Sequence, residues 1–181
     1  ASGWPTSTPR SAPTPVPEGL NYEMWLGPAP DAPFCPARLH SNWRWFYDYS
    51  GGNITDFGAH HLDIVQWALG RDESGPEEFF DLKATWPAPG SLYNTPPTFS
   101  FAYRYGDGAT VRVADKQDFG SGISFEGENG SVLCTRGKLE IKPVELRKPL
   151  AADDVRLYES KDHFRNFIDA IQNGAKAAAP I

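Results

Sequence analysis

The sequence has few of the residues that would tie its function to a charged partner or to a membrane. Its 181 residues include two cysteines and one methionine, and seventeen basic residues face twenty-three acidic ones. The basic residues are scattered and the net charge is −6, which argues against nucleic acid and anionic membranes as partners. No apolar run reaches the roughly eighteen residues of a membrane span, and the start lacks the pattern of a secretory signal. We therefore expect a soluble protein; the compartment stays open, with the cytoplasm favoured.

The sequence is rich in residues that form loops and aromatic surfaces. Six tryptophans, seventeen prolines and seventeen glycines predict a loop-rich domain. Cys35 and Cys134 are far apart in sequence and in unlike contexts, which favours two buried thiols over a disulfide. Residues 1–20 are proline-rich and predict an extended arm, either free or laid along the surface. Residues 21–181 are expected to form a single domain.

The second half of the domain reads mainly as strands. Short segments of partial period-two alternation are separated by turn signals, three of which are typical of hairpins. The predicted strands are Glu78–Trp86, Thr98–Tyr105, Ala109–Asp115, Gly122–Glu126, Ser131–Thr135 and Lys138–Lys142. Together they predict a mainly antiparallel, open-faced sheet of about six strands. Helices predicted before and after the strands, including one over 162–173, make the fold class α+β, with the helices packed on one face of the sheet.

One stretch combines helix signals with chemically active side chains. Gly51 and Gly52 mark a loop, Asn53 is a plausible N-cap, and Gly70 is placed as a C-terminal stop, so we expect a helix over 54–69. Phe57, Leu62 and Val65 lie on its apolar side and are expected to be buried.

The opposite stripe of this helix contains a candidate acid/base pair. Asp56, His60 and Asp63 follow the spacing i, i+4, i+7 and therefore share one face. A neutral imidazole can accept a hydroxyl proton, and a carboxylate can orient it. The alternative is a structural hydrogen bond on a helix surface, and spacing alone favours that alternative. His60, His61 and Asp63 also suggest a metal site, which the splayed directions of adjacent histidines disfavour.

The segment before this helix is dense in aromatic residues. Arg44, Trp45 and Tyr47 could form a platform on which a sugar ring stacks, with the arginine donating to hydroxyl groups. Tryptophan and tyrosine also serve as core filling, and the sequence leaves the two interpretations open.

Several of these motifs together resemble the C-terminal domain of the Gfo/Idh/MocA family of NAD(P)-dependent oxidoreductases. The residues that carry the resemblance are Trp25-Leu26-Gly27-Pro28-Ala29-Pro30, Trp43-Arg44-Trp45, Ser50-Gly51-Gly52, Asp56-Phe57-Gly58-Ala59-His60-His61-Leu62-Asp63 and 163–171. The resemblance implies a domain that shapes a sugar or polyol pocket and forms homo-oligomers through its open sheet face. It assigns Asp56 and His60 as catalytic, and Arg44, Trp45, Tyr47 and Asp63 are the expected substrate-binding residues.

The sequence departs from that family where the cofactor should bind. No Gly-x-Gly-x-x-Gly run links a strand to a helix, and the lysine of the family's Glu-Lys-Pro run is missing. We therefore expect no cofactor in this chain, NAD or NADP in full-length relatives, and a truncated or stand-alone domain that is not an oxidoreductase by itself. The alternatives are a non-enzymatic carbohydrate-binding or assembly module, and a metal-dependent lyase or hydrolase around His60 and His61.

Overall fold

Six strands and three α-helices form in the residues that the computed structural model describes, which are 12–115, 121–149, 151–156 and 158–179. The helices are α1 (Tyr22–Leu26), α2 (Phe57–Leu69) and α3 (His163–Asn173). The strands are β1 (Glu78–Thr85), β2 (Thr98–Arg104), β3 (Thr110–Ala114), β4 (Ile123–Gly127), β5 (Gly130–Thr135) and β6 (Lys138–Lys142). Short 3-10 helices cover Pro36–Arg38, His40–Trp45 and Val144–Leu146. The α+β class is confirmed.

The chain divides into two compact units, residues 1–140 and residues 141–181. In the second unit, Asp162 caps α3 by accepting the Arg165 backbone N–H at 2.9 Å, and Gly174 ends it in the left-handed conformation. Asn166 then holds the following segment, because its side chain donates to Lys176 O at 3.0 Å and accepts from Ala178 N at 2.8 Å. The predicted helix over 162–173 is therefore present, with both ends set by local chemistry.

The strands pair in two separate groups rather than one. One antiparallel sheet has the order β1-β2-β3 and the other β4-β5-β6, within the described ranges. The prediction of one six-stranded sheet is wrong in this respect. Each predicted hairpin turn joins two consecutive strands, as between Gly127 and Gly130, which are paired across β4 and β5. No tight turn signal stands between β3 and β4, so local patterning does not specify that pairing.

An aromatic row runs along one face of β2. Phe99, Phe101, Tyr103 and Tyr105 alternate along the chain, and neighbouring ring centroids lie 5.7–6.4 Å apart. Phe79 of β1, the cross-strand partner of Tyr103, adds a ring at 5.7 Å. Burial raises the pKa of the Tyr103 hydroxyl well above its ordinary value, so this side chain stays neutral at physiological pH.

The α2 helix is tied to the β2 end of this sheet through Gln66. The Gln66 amide nitrogen donates to Arg71 O at 2.9 Å and to Ser74 O at 3.0 Å, and its oxygen accepts from the Tyr105 hydroxyl. The Arg71 guanidinium lies 5.4 Å from the centre of the Tyr105 ring. This polar junction fixes the C-terminal half of α2.

A second core lies under the loops that precede α2. Trp45, Phe46 and Tyr93 form a buried cluster, and Tyr49 and Leu92 pack against it. A backbone hydrogen bond also links the two segments that form this cluster, because Trp45 O accepts from Asn94 N at 3.0 Å. The loops therefore have a rigid base.

The proline-rich arm lies against the first unit at one described point, where Thr14 N donates to Phe34 O at 3.0 Å. Residues 1–11 of the predicted arm lie outside the described residues. Both cysteines are free, Cys35 buried and Cys134 partly exposed.

Candidate functional site

The start of α2 is set by a glycine turn packed on a buried threonine. Gly52 has a φ of +69° and lies against Thr95, which is fully buried. The Thr55 hydroxyl accepts from Gly51 N at 2.9 Å, and Asp56 N donates to Gly52 O at 3.1 Å. These contacts hold residues 51–56 in turns, so α2 begins at Phe57.

The predicted N-cap was therefore wrong. Asn53 does not cap the helix, and the helix does not begin at Ile54; the capping position is Asp56. The Asn53 carbonyl instead accepts from Gly58 N at 3.0 Å. Gly52 packs on Thr95, and residues 51–56 form turns before helical geometry begins at Phe57.

Asp56 uses its carboxylate for an ion pair rather than for capping. Its side chain makes no capping hydrogen bond, and its Oδ2 lies 3.0 Å from Arg44 Nε. The N–H of Nε is not aligned as a hydrogen bond despite this distance. Both side chains are about three-quarters buried, at 21% and 27% exposed. The contact with Arg44 limits where the other carboxylate oxygen of Asp56 can point.

His60 lies one turn further along α2 and is exposed. Its ring contacts the Phe57 ring edge-on at a centroid distance of 6.3 Å. Among the described residues, no hydrogen bond joins His60 to Asp56, whose partner is Arg44. An imidazole in this setting has both nitrogens available to a ligand.

His61 and Asp63 point in different directions on the same helix. Asp63 is exposed, whereas His61 is partly buried. Burial lowers the pKa of the His61 imidazole, and the nearby His60 and Arg136 lower it further. His61 is therefore neutral at pH 7 and packs inward. In the ranges that the structure covers, no group of three or more histidine, cysteine or acidic side chains could hold a metal ion.

The apolar side of α2 is buried less evenly than its pattern predicts. Val65 is 6% exposed, as expected. Phe57 and Leu62, which were expected to be buried, are partly exposed. His60 is clear of the core, as the acid/base interpretation requires.

The structure separates the residues of the expected sugar platform. Trp45 is 3% exposed and belongs to the core, whereas Tyr47 is 65% exposed and contacts Trp86. Arg44 pairs with Asp56 and also approaches the Trp43 ring, at 5.9 Å from its centre. Because residues 40–45 form a 3-10 helix with three residues per turn, Trp43 and Trp45 point to different sides.

A cleft lies beside Arg44, lined by aromatic residues that the sequence did not mark as a site. Its volume is about 500 Å³. Trp25, Trp43 and Tyr49 form walls together with the Pro28–Pro30 turn, and Asp48 adds a carboxylate. The sequence feature that could have indicated this cleft is the pair of indoles at positions 43 and 45, because only one of the two could face the core.

The first unit thus combines an aromatic cleft, an arginine and a helix that begins with Asp56 and His60, on an α+β framework. A family model for the C-terminal alpha/beta domain of the Gfo/Idh/MocA oxidoreductases matches residues 4–179. The chain belongs to that family. No curated protein matches the chain. No helix in the described ranges is long and apolar enough to cross a membrane.

Proposed function

We propose that this chain is the substrate-binding and oligomerisation domain of an NAD(P)-dependent sugar or polyol oxidoreductase and does not act as an oxidoreductase by itself. The observation that carries the proposal is the start of α2, where Asp56 paired with Arg44 stands one turn before an exposed His60. Membership of the oxidoreductase family supports it.

His60 is the proposed acid/base residue. Its imidazole would accept the proton of a substrate hydroxyl as that carbon is oxidised, and return it in the reverse direction. Asp56 would bind the same hydroxyl group with its free oxygen, while Arg44 holds the carboxylate in position. Asp63 and Tyr47 remain predicted substrate-binding residues, whereas Trp45, at 3% exposed, would support the loop instead of contacting substrate.

The residues described do not fit a dinucleotide. A dinucleotide site needs a glycine-rich turn between a strand of a parallel sheet and a helix. Here β1–β2, β2–β3 and β4–β5 pair antiparallel, and the Gly51–Gly52 turn follows a 3-10 helix and not a strand. A hydride acceptor would therefore have to be held by another domain, and NAD or NADP belongs to that domain. Calorimetry of the chain with either nucleotide should give no heat of binding. Micromolar affinity would contradict this part of the proposal.

The substrate role can be tested by ligand-observed NMR with a panel of sugars and acyclic polyols. His60→Ala and Asp56→Asn should weaken the binding of a polyol that the wild-type chain recognises, without changing the circular dichroism spectrum. Ala59→Ser, at an exposed neighbouring position of α2, is the control. Polyol binding that both site variants leave unchanged would overturn the assignment of the site to α2.

Assembly through the sheet is the second part of the proposal. β1 is an edge strand whose Phe79 and Leu82 are 57% and 69% exposed, and such surfaces favour association. Light scattering should give the mass of a homodimer or larger oligomer. Leu82→Asp should reduce the mass and Lys83→Ala should not. A monomeric wild-type chain at high concentration would contradict the proposal.

A non-enzymatic carbohydrate-binding or assembly module is the second candidate, and the aromatic cleft favours it. Such a module would bind sugar without needing His60. The metal-dependent lyase or hydrolase is the weakest candidate, because His60 and His61 diverge and lack a third ligand among the described residues.

A further inference from the structure

The connection between β1 and β2, residues 86–97, is bonded to the segment that carries Arg44. Thr95 of this connection donates to Trp45 O from its backbone N–H at 3.3 Å and from Oγ1 at 3.4 Å. Asn94 N donates to the same carbonyl at 3.0 Å. Because Trp45 directly follows Arg44 in the chain, these bonds hold the backbone from which the Arg44 side chain projects.

The turn that leads to Asp56 lies against the same threonine. Thr95 is fully buried, and the side of Gly52 that lacks a side chain faces it, so that a Cβ added to Gly52 would lie 2.8 Å from Thr95 Oγ1. The Gly52 carbonyl accepts from Asp56 N at 3.1 Å. A single buried oxygen atom, Thr95 Oγ1, therefore contacts both the segment that carries Arg44 and the turn that carries Asp56.

Asn94 holds a third residue of the proposed site. Its side-chain Oδ1 accepts from Tyr47 N at 2.7 Å. The preceding residue, Tyr93, is 4% exposed in the cluster with Trp45 and Phe46, and its ring meets the Phe46 ring edge-on at 5.4 Å. The connection is thus anchored in a packed core, which gives it the rigidity to hold the neighbouring loop.

The pairing of Arg44 with Asp56 depends on tertiary contacts of this kind. Arg44 lies in a 3-10 helix and Asp56 follows a run of turns, so no single regular element sets the separation of the two side chains. Groups that bind substrate have to be held to within roughly 0.5 Å of the productive geometry, which requires contacts from a supporting layer. In the part of the chain that the structure describes, Thr95 contacts the backbone on both sides of this ion pair.

We propose that residues 93–95 position three residues of the proposed site, which are Arg44, Tyr47 and Asp56. Thr95 Oγ1 sets the separation between the first and the last of them, and Asn94 Oδ1 sets the place of the second. Both are positioning residues, and neither contacts substrate. The role rests on the proposed function, because it is a positioning role only if the three residues bind substrate.

Hydrogen exchange of single backbone amides, measured by NMR on the full chain, tests this role locally. Thr95→Ala removes Oγ1 and should accelerate exchange of the Asp56 amide at least tenfold more than exchange of the β2 and β3 amides. A threonine that only contributed to global stability would accelerate exchange of the strand amides as much, and that result would overturn the proposal. An Asp56 amide that is unprotected in the wild-type chain would overturn it as well.

Thr95→Ser keeps the oxygen atom and should therefore restore the protection. Exchange of the Asp56 amide in this variant should stay within threefold of the wild-type rate, and exchange as fast as in Thr95→Ala would refute the role of Oγ1. Thr98→Ala is the matched control, because the Thr98 hydroxyl donates to Thr85 Oγ1 at 2.9 Å, away from the site. The control should change the Asp56 rate less than twofold.

Asn94→Ala tests the second contact independently and at an exposed position. It should accelerate exchange of the Tyr47 amide at least tenfold and leave the Asp56 rate within threefold of wild type. An unchanged Tyr47 rate would refute the assignment of Asn94. Thr95→Ser and Asn94→Ala are mild changes, so they decide the question even where Thr95→Ala does not fold.

Polyol binding separates the failure of this role from the failure of the proposed function. For a polyol that the wild-type chain binds, Thr95→Ala should weaken binding at least fivefold and Thr98→Ala less than twofold. Polyol binding that Asp56→Asn weakens and Thr95→Ala does not would refute the positioning role and leave the proposed site standing. Binding that neither Asp56→Asn nor His60→Ala weakens would refute the proposed site, and the positioning role with it, even where the exchange rates change as expected.

Discussion

Replacing Gly52 by alanine should test the turn that places Asp56. Gly52 is in the left-handed region at φ +69°, where an L side chain is strained. A Cβ added there would lie 2.8 Å from Thr95 Oγ1 and 3.0 Å from Thr95 Cβ. Thr95 is fully buried and its backbone N–H donates to Trp45 O at 3.3 Å, so it has little freedom to move away.

The expected cost has two parts that a second glycine separates. Left-handed geometry costs an alanine about 1 kcal/mol, and overpacking a buried site costs roughly 1–3 kcal/mol more. Gly70 has almost the same φ, +62°, but nothing lies within 4 Å of its added Cβ. Gly70→Ala should therefore lower the free energy of unfolding by about 1 kcal/mol, and Gly52→Ala by roughly 2–4 kcal/mol.

Urea unfolding at 25 °C, followed by tryptophan fluorescence, measures both variants against the wild type. The double variant Gly52→Ala/Thr95→Gly should show less than the sum of the two single losses, because removing the threonine side chain removes the clash. Equal destabilisation by Gly52→Ala and Gly70→Ala would refute the contact argument and leave only backbone strain. Additivity in the double variant would refute it as well.

Three other outcomes follow from burial, charge and capping. Val65→Asp should lower the free energy of unfolding by about 4 kcal/mol or more because it buries an unpaired charge. His60→Ala on the same helix should change it by less than about 0.5 kcal/mol. Similar urea midpoints for the two variants would contradict this prediction. Because the folded pKa of His61 is below its ordinary 6.5, the unfolded chain takes up the proton first, so the free energy of unfolding should fall as pH drops through about 6.5. His61→Gln should flatten that pH dependence, and an unchanged profile would count against it. Asp162→Ala should cost about 1 kcal/mol by removing the cap of α3, measured by hydrogen exchange of its amides, while Asp162→Asn should keep most of the protection.

Features that depend on neighbouring residues were predictable from the sequence. The strand bounds agree with the predicted segments to within one residue at every end, because period-two alternation and hairpin turns are local properties. The end of α2 at Gly70 and the start of α3 after Asp162 follow from capping chemistry of the same local kind. That His60 lies one turn after Asp56 also required only helical spacing.

What depends on distant contacts could not be predicted in this way. The capping position of α2 is Asp56 and not Asn53, and the turns before it include Gly52 packed on Thr95, which is more than forty positions away. Within the described ranges the six strands divide into two sheets, which the strand pattern alone did not distinguish from one sheet. Both outcomes are decided by packing between segments, which periodicity does not encode.

The candidate site also combines features that the sequence predicted with features that depend on distant contacts. Composition and spacing predicted aromatic residues beside an acid/base helix, but not which indole would face outward. Burial of Trp45 in the core with Phe46 turned Trp43 towards the cleft, and the fold brought Trp25 to its other wall. The sequence alone determined the chemical groups available to a ligand, and the tertiary structure decided which of them share a surface, because that choice depends on burial and not on residue type.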